Sequence, residues 1–234
     1  MRVAIVSWRP QAVRRLLGRA RLVETKSGPE AVIAYGGDGT LLWSEMLYPG
    51  IPKLFLHHPH TGKSRQGLLP LLEQLASGDW SAEDLPKLEG RAPRGTLVGM
   101  NDIYLQFHPP TALRFSASVN GKAVVKNAVG DGLVVSTPYG SSGYFHSITG
   151  RTFRRGIGVA LNNCTRRAGP WFPSGKSGIT VKVLRGPGWM VADSDRRLVP
   201  LSDGDTVRIA KAKQPARIIR LRGKPLKIDV KKLP

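Results

Sequence analysis

The stretch "AYGGDGTLL" at residues 34–42 places three glycines and a carboxylate in one turn. Gly36, Gly37 and Gly39 suit a phosphate cradle, because small residues let a phosphate approach the backbone. Asp38 in their midst would repel that phosphate, so a plain binding loop should avoid it. A carboxylate there becomes useful when a hydroxyl must lose its proton as it attacks phosphorus. The flanks define the setting. "EAVIAY" before the turn is an apolar run of strand length, and "TLLWSEMLY" after it carries helical spacing at Leu42, Met46 and Leu47. Strand, glycine turn and helix follow in that order, so the helix N-terminus offers free N–H groups and the positive end of its dipole to an anion. Gly36, Gly37, Gly39 and Thr40 take the phosphate-binding role, and Asp38 the role of general base.

Two familiar phosphate loops are excluded. A dinucleotide fingerprint needs a glycine three residues after Gly39, where Leu42 stands. "TGKS" at 61–64 resembles the end of a P-loop, but the earlier glycine would fall at His57.

Outward from the turn, the N-terminal part alternates strand and helix. "RVAIVS" reads as a strand, and "PQAVRRLLG" as a short helix with Pro10 at its start and Gly18 past its end. "PKLFLH" is a further buried strand and "GLLPLLEQLASG" a helix with Pro70 in its first turn. This alternation predicts a parallel sheet covered by helices, an α/β domain over 1–95. From "KLEGRAPRGTLVG" onward the strands shorten and turns become frequent. "GTLVGMNDIYLQF", "ALRFSASVNGKAVV", "GDGLVVSTP", "GIGVALNN", "GITVKVL", "GWMVAD", "DTVRIAKA" and "ARIIRL" are strand candidates. "VNGK" is an Asn-Gly hairpin turn and "SDGD" another turn. An all-β domain over 96–234 with a short basic tail is expected.

The 234 residues carry 36 Lys and Arg against 16 Asp and Glu, a formal charge of +20. Such a surface favours polyanions, including nucleotides, polyphosphate and, non-specifically, nucleic acid. The cations are spread through the chain with no arginine-rich arm. No apolar run approaches the twenty or so residues of a membrane span. The single cysteine, Cys164, forms no internal disulfide. A cytoplasmic protein without a membrane partner is the expectation.

"NDIYL" at 101–105 and "GDGLVVSTPYGSSGYFHSITG" at 130–150 follow the glycine turn in order. Asn offers both donor and acceptor to a base edge or ribose, a carboxylate accepts from a sugar hydroxyl, and a tyrosine stacks or hydrogen-bonds. This succession resembles the NAD kinase family, whose pattern is a GGDGT turn, an Asn-Glu pair and a G-D-G-L-x-x-x-T-P-T-G-S-T-A-Y segment. The resemblance implies a two-domain fold with the site in the cleft between. It implies phosphorylation of the 2′-hydroxyl on the adenosine ribose of NAD to give NADP. ATP or polyphosphate with Mg2+ would be the donor. It also implies assembly as a homodimer or homotetramer. Residue by residue, it makes Asp38 the general base. Asn101 and Asp102 would hold the adenosine part and Asp131 the nicotinamide end. Ser142, Tyr144 and Ser147 would line the dinucleotide pocket. The chain departs from the pattern at Asp102, where the family has Glu, at Tyr139, at Ser142-Gly143 and at Asp193-Ser194. It also departs at "FLHHPHTGKSRQGLL", where the family has a glycine-rich stretch.

His57, His58 and His60 lack a nearby Cys or carboxylate to complete a metal set, so no dedicated metal site is expected. With Lys63 and Arg65 they suit phosphate contact or a plain polar loop. Two other readings stay open: a related kinase acting on another hydroxyl acceptor, and a non-catalytic nucleotide- or nucleic-acid-binding protein on this fold. Asp38 argues against the latter, since a binding protein needs no general base.

Overall fold

The computed structural model describes residues 1–57, 67–165, 168–193 and 195–222. Within these the chain forms two compact units, Met1–Leu85 joined by the residues from Pro215 onward, and Pro86–Gln214. Each is described by itself.

The first unit is built on a six-stranded sheet. Its strands are β1 (Arg2–Ser7), β2 (Val23–Glu24), β3 (Ala31–Gly36), β4 (Lys53–His57), β5 (Trp80–Leu85) and, from the far end of the chain, β16 (Ala216–Leu221). They lie in the order β2-β1-β3-β4-β16-β5. All neighbours run parallel except β16 and β5, which are antiparallel. Helices α1 (Gln11–Leu17), α2 (Asp38–Leu47) and α3 (Leu68–Ser77) connect them. Val13 and Leu17 of α1 and Leu71, Leu72 and Leu75 of α3 pack with Val3, Ile33, Tyr35 and Leu54. Val32, one residue out of step on β3, turns the other way with Ala4 and Val6 to meet Trp43 of α2. The period-2 alternation of β3 thus feeds helices on both faces. Pro70 sits in the first turn of α3, where its missing N–H costs no helix bond.

The second unit is antiparallel. It comprises β6 (Leu88–Ala92), β7 (Gly95–Gly99), β8 (Asp102–Phe107), β9 (Leu113–Val119), β10 (Lys122–Ser136), β11 (Gly158–Cys164), β12 (Ile179–Arg185), β13 (Gly188–Ala192), β14 (Val199–Leu201) and β15 (Thr206–Lys211). The sheet runs β14-β13-β8-β10-β9-β12-β15-β6-β7, with β11 also paired to β10. It curls until β7 lies against β13 and β14. Phe115, Ile103, Leu133, Val181 and Ile209 fill its interior. The Asn120-Gly121 turn between β9 and β10 has positive φ at both residues, as an Asn-Gly hairpin requires. A short α4 (Tyr144–Thr149) follows a 3₁₀ turn at Gly140–Ser142.

Three features differ from the sequence reading. The first compact unit runs to Leu85 and the second opens at Pro86, ahead of the 95/96 bound expected from the sequence. "LEGRA" and "GTLVG" pair with each other as β6 and β7 in the second unit. "ARIIRL" leaves the all-β unit and inserts between β4 and β5 of the first. A short β-branched run fits either kind of sheet, so its sequence does not choose. The buried face of α2 also differs. Leu41, Leu42, Ser44 and Glu45 are buried, while Met46 and Leu47 face solvent.

The cause of that rotation is Lys53. Its side chain is wholly buried, and its Nζ meets the Glu45 carboxylate and donates to the carbonyls of Tyr48 (2.6 Å) and Ile51 (2.8 Å). Glu45 must turn inward to reach it. Lys53→Met leaves Glu45 buried without its cation and should cost about 3–5 kcal/mol. Adding Glu45→Leu should restore most of that stability. Chemical unfolding midpoints of the single and double variants check this.

Candidate functional site

In the first unit the site-forming turn lies where the strand order reverses between β1 and β3, the place where open α/β sheets bind ligands. Gly36 closes β3 opposite His57 of β4. Gly37 caps α2 in extended conformation, and Asp38, Gly39 and Thr40 make its first turn. The Thr40 and Leu41 amides donate to the Gly37 carbonyl at 2.9 and 3.4 Å. The amides of Asp38 and Gly39 precede them, where helix geometry offers no internal partner. The three glycines serve different ends. A side chain on Gly36 would collide with Thr40, whereas one on Gly37 or Gly39 would meet no atom of the described residues within 4 Å. Among the described residues, packing therefore demands only the first. Asp38 is exposed at the mouth of this turn, and Thr40 is buried behind it.

In the second unit Asn101 and Asp102 sit where β7 passes into β8. Their position is fixed by Asp193, at the end of β13. Its carboxylate accepts the amides of Met100 (2.7 Å), Asn101 (2.7 Å) and Asp102 (3.1 Å). Its own amide donates to the Asp102 carbonyl at 3.0 Å. Asp193 is left-handed, with φ of 48°, a conformation that Asp tolerates better than most residues. From the other side, the Thr137 amide donates to the Asn101 carbonyl and the Thr137 hydroxyl to the Met100 carbonyl, both at 2.8 Å. Gly140 lies so close to the Asn101 backbone that no side chain fits there.

This clamp aims polar groups at one place. The Asn101 side-chain oxygen is buried without a hydrogen-bond partner among the described residues. Asp102 is buried, and that burial, with the negative Asp193 beside it, pushes its carboxyl up to about 7. Tyr104 meets Tyr144 edge to face at 5.2 Å. Burial raises both phenols, and the Asp102 charge adds to each. Asn162 donates to the Tyr144 hydroxyl at 2.8 Å, and Asn163 to Asp131 at 3.1 Å. Asp131 is held between Gly130, pressed on Asn163 and Cys164, and Gly132, pressed on the Leu105 carbonyl at φ of 147°. These glycines let β8, β10 and β11 close in around the aspartate.

Of the residues singled out in the sequence, Asn101, Asp102, Asp131 and Tyr144 thus share one cluster. Ser142 is exposed on the 3₁₀ turn, and Ser147 turns its hydroxyl onto the Tyr144 carbonyl at 2.7 Å. Tyr139 is half-buried at the start of that turn. His57 is the exposed end of β4, while His58, His60, Lys63 and Arg65 lie outside the described residues. Sequence reading missed Asp193 as the clamp, and missed Tyr104, Asn162 and Asn163. Among the described residues, no group of three or more His, Cys, Asp or Glu is placed to hold a metal ion, and no helix is long and apolar enough to cross a membrane.

A family model described as the ATP-NAD kinase C-terminal domain matches residues 100–221, more than half of the chain and the whole of this cluster. The chain belongs to the NAD kinase family. An NAD kinase of Moorella thermoacetica is 31% identical over 212 residues, covering 82% of this chain and 67% of its own length. One from Symbiobacterium thermophilum is 28% identical, with 94% and 84% covered. The crystal structure of an Archaeoglobus fulgidus NAD kinase in complex with ATP matches with a TM-score of 0.77 at 19% identity, over 95% of this chain and 94% of that one. Yeast NADH kinase complexed with NADH matches with a TM-score of 0.79 at 15% identity, over 94% and 83%. The two-domain fold is that of NAD kinases, which are phosphotransferases.

The raised Asp102 carboxyl has a cost. Between its ordinary value near 3.8 and about 7, the folded protein holds a proton that the unfolded chain has released. Stability should therefore fall as pH rises through that window, with the full penalty above it. Asp102→Asn removes the penalty, which at about 1.4 kcal/mol per pH unit reaches about 4 kcal/mol. The variant should melt higher than the parent at pH 8, with the gap closing towards pH 4, as followed by thermal unfolding across that range.

Proposed function

We propose that this chain transfers a phosphoryl group from ATP or polyphosphate to the 2′-hydroxyl of the adenosine ribose of NAD, giving NADP. The observation that carries this reading is the exposed Asp38 on a helix N-terminus, flanked by Gly37 and Gly39, whose bareness packing among the described residues does not require. The donor's phosphates would take the amides of Asp38 and Gly39 and the dipole of α2. Asp38 would orient the attacking hydroxyl and accept its proton as the bond to phosphorus forms. A magnesium ion carried on the donor phosphates would supply charge neutralisation.

The second unit would hold the dinucleotide. Asn101, with its unsatisfied buried oxygen, and Asp102 suit the adenosine, and an Asp102 carboxyl whose affinity for its proton is raised by burial can both donate to and accept from a ribose hydroxyl when protonated. Tyr144 offers its ring, and Asp131 suits the nicotinamide end. Ser142 and Ser147 border the same segment. Assembly as a homodimer or homotetramer belongs to the same proposal, as the family resemblance implies.

Asp38→Asn keeps the size and the turn but removes the base. It should lower kcat about 100- to 10,000-fold while calorimetry shows NAD binding unchanged. Near-full turnover would remove Asp38 from this role. Gly39→Ala should separate stability from function, gaining up to about 1 kcal/mol of helix stability yet raising the donor KM.

A further inference from the structure

Two tryptophans take no part in the site described so far. Trp8 follows β1 directly, and Trp43 lies in α2. Their rings stack with centroids 5.2 Å apart and planes inclined by 26°. Trp43 packs its inner side against Ala4, Val6 and Val32. Trp8 is 80% exposed, so its outer face is open to solvent. A ring that buries so little contributes little to folding. Its place singles it out instead. Ser7 pairs in register with Tyr35, so the chain leaves β1 at Trp8 beside the point where β3 enters the glycine turn. Trp43 rides on the helix that begins with Asp38. The pair therefore borders the sheet's ligand-binding edge.

We propose that Trp8, backed by Trp43, is the shelf on which the purine base of a nucleoside triphosphate donor stacks, with its phosphates on the amides that open α2. This rests on the phosphotransferase reading above and narrows its donor to a nucleotide. An aromatic face is tolerant of base identity, because every base has a π-face. The pair is already stacked, so little side-chain freedom is lost on binding. ATP and GTP should both serve, and a polyphosphate without a base should gain nothing from the shelf.

The test compares Trp8→Ala and Trp8→Phe with the parent, using ATP and inorganic tripolyphosphate as donors. Trp8→Ala should raise the KM for ATP about tenfold, leaving kcat and the KM values for NAD and tripolyphosphate unchanged. Trp8→Phe should recover most of the loss. An unchanged KM for ATP would overturn the proposal, as would an equal rise for both donors, which would mark a structural effect on the β1–α1 connection. So would a change in self-association with ATP use intact, which would mark a protein contact. If the parent transfers phosphate from neither donor, the catalytic reading fails and calorimetry still reads the shelf. ATP should then bind Trp8→Ala about tenfold more weakly than the parent, with tripolyphosphate binding both alike. Equal ATP binding would overturn it.

Discussion

A lysine with no solvent exposure holds the first unit in register. Lys53 begins β4 and pairs across the sheet with Val32 of β3 and Ile218 of the returning strand β16. Its ammonium group binds Glu45 and the carbonyls just past α2. One residue thus joins, through its backbone pairing, the strand that carries the glycine turn and the segment that arrives from the far end of the chain, and through its side chain the helix that presents Asp38. Taking a lysine and a glutamate out of water is expensive, and the arrangement survives only because every partner is in place. What it secures is direction: the C-terminal half of α2 is locked to β4, and the same helix opens with the exposed Asp38 in its first turn.

The second unit solves a related problem with the opposite charge. Asp193 spends its carboxylate on three consecutive backbone amides and thereby fixes Asn101 and Asp102 at the head of β8. The consequence is that Asp102 is buried beside another carboxylate and carries a raised affinity for its proton. A fold selected for stability alone would place a neutral residue there. An unsatisfied amide oxygen next to it makes the same point, since buried polar groups without partners are uncommon. Both costs are understandable where a ligand supplies the missing contacts.

Local chemistry made part of this legible in the sequence. The strand, glycine turn and helix around Asp38 follow from periodicity and from the helix terminus, and the Asn120-Gly121 turn from its dipeptide. The order of three motifs pointed to the family. What escaped is non-local. Glu45 and Lys53 belong to a helix and a strand and share no repeat, so neither the pair nor the rotation it imposes on α2 has a sequence signature. The return of β16 is a choice between two sheets that a short apolar run does not encode. Gly130 and Gly132 read as part of a motif, but their steric reason is the closeness of β8 and β11. Asp193 left one faint signal, an aspartate at the end of a strand where positive φ is tolerated.

The two units thus carry complementary chemistry: exposed amides and a carboxylate in one, a clamped polar cluster in the other. The most direct measurement is NADP formation by the purified protein from NAD and Mg2+ with ATP or polyphosphate, read with an NADP-specific dehydrogenase. The account predicts NADP that accumulates with time and requires the donor. Folded protein that binds NAD yet forms no NADP with either donor would contradict it, and would assign the glycine turn and Asp38 to another acceptor.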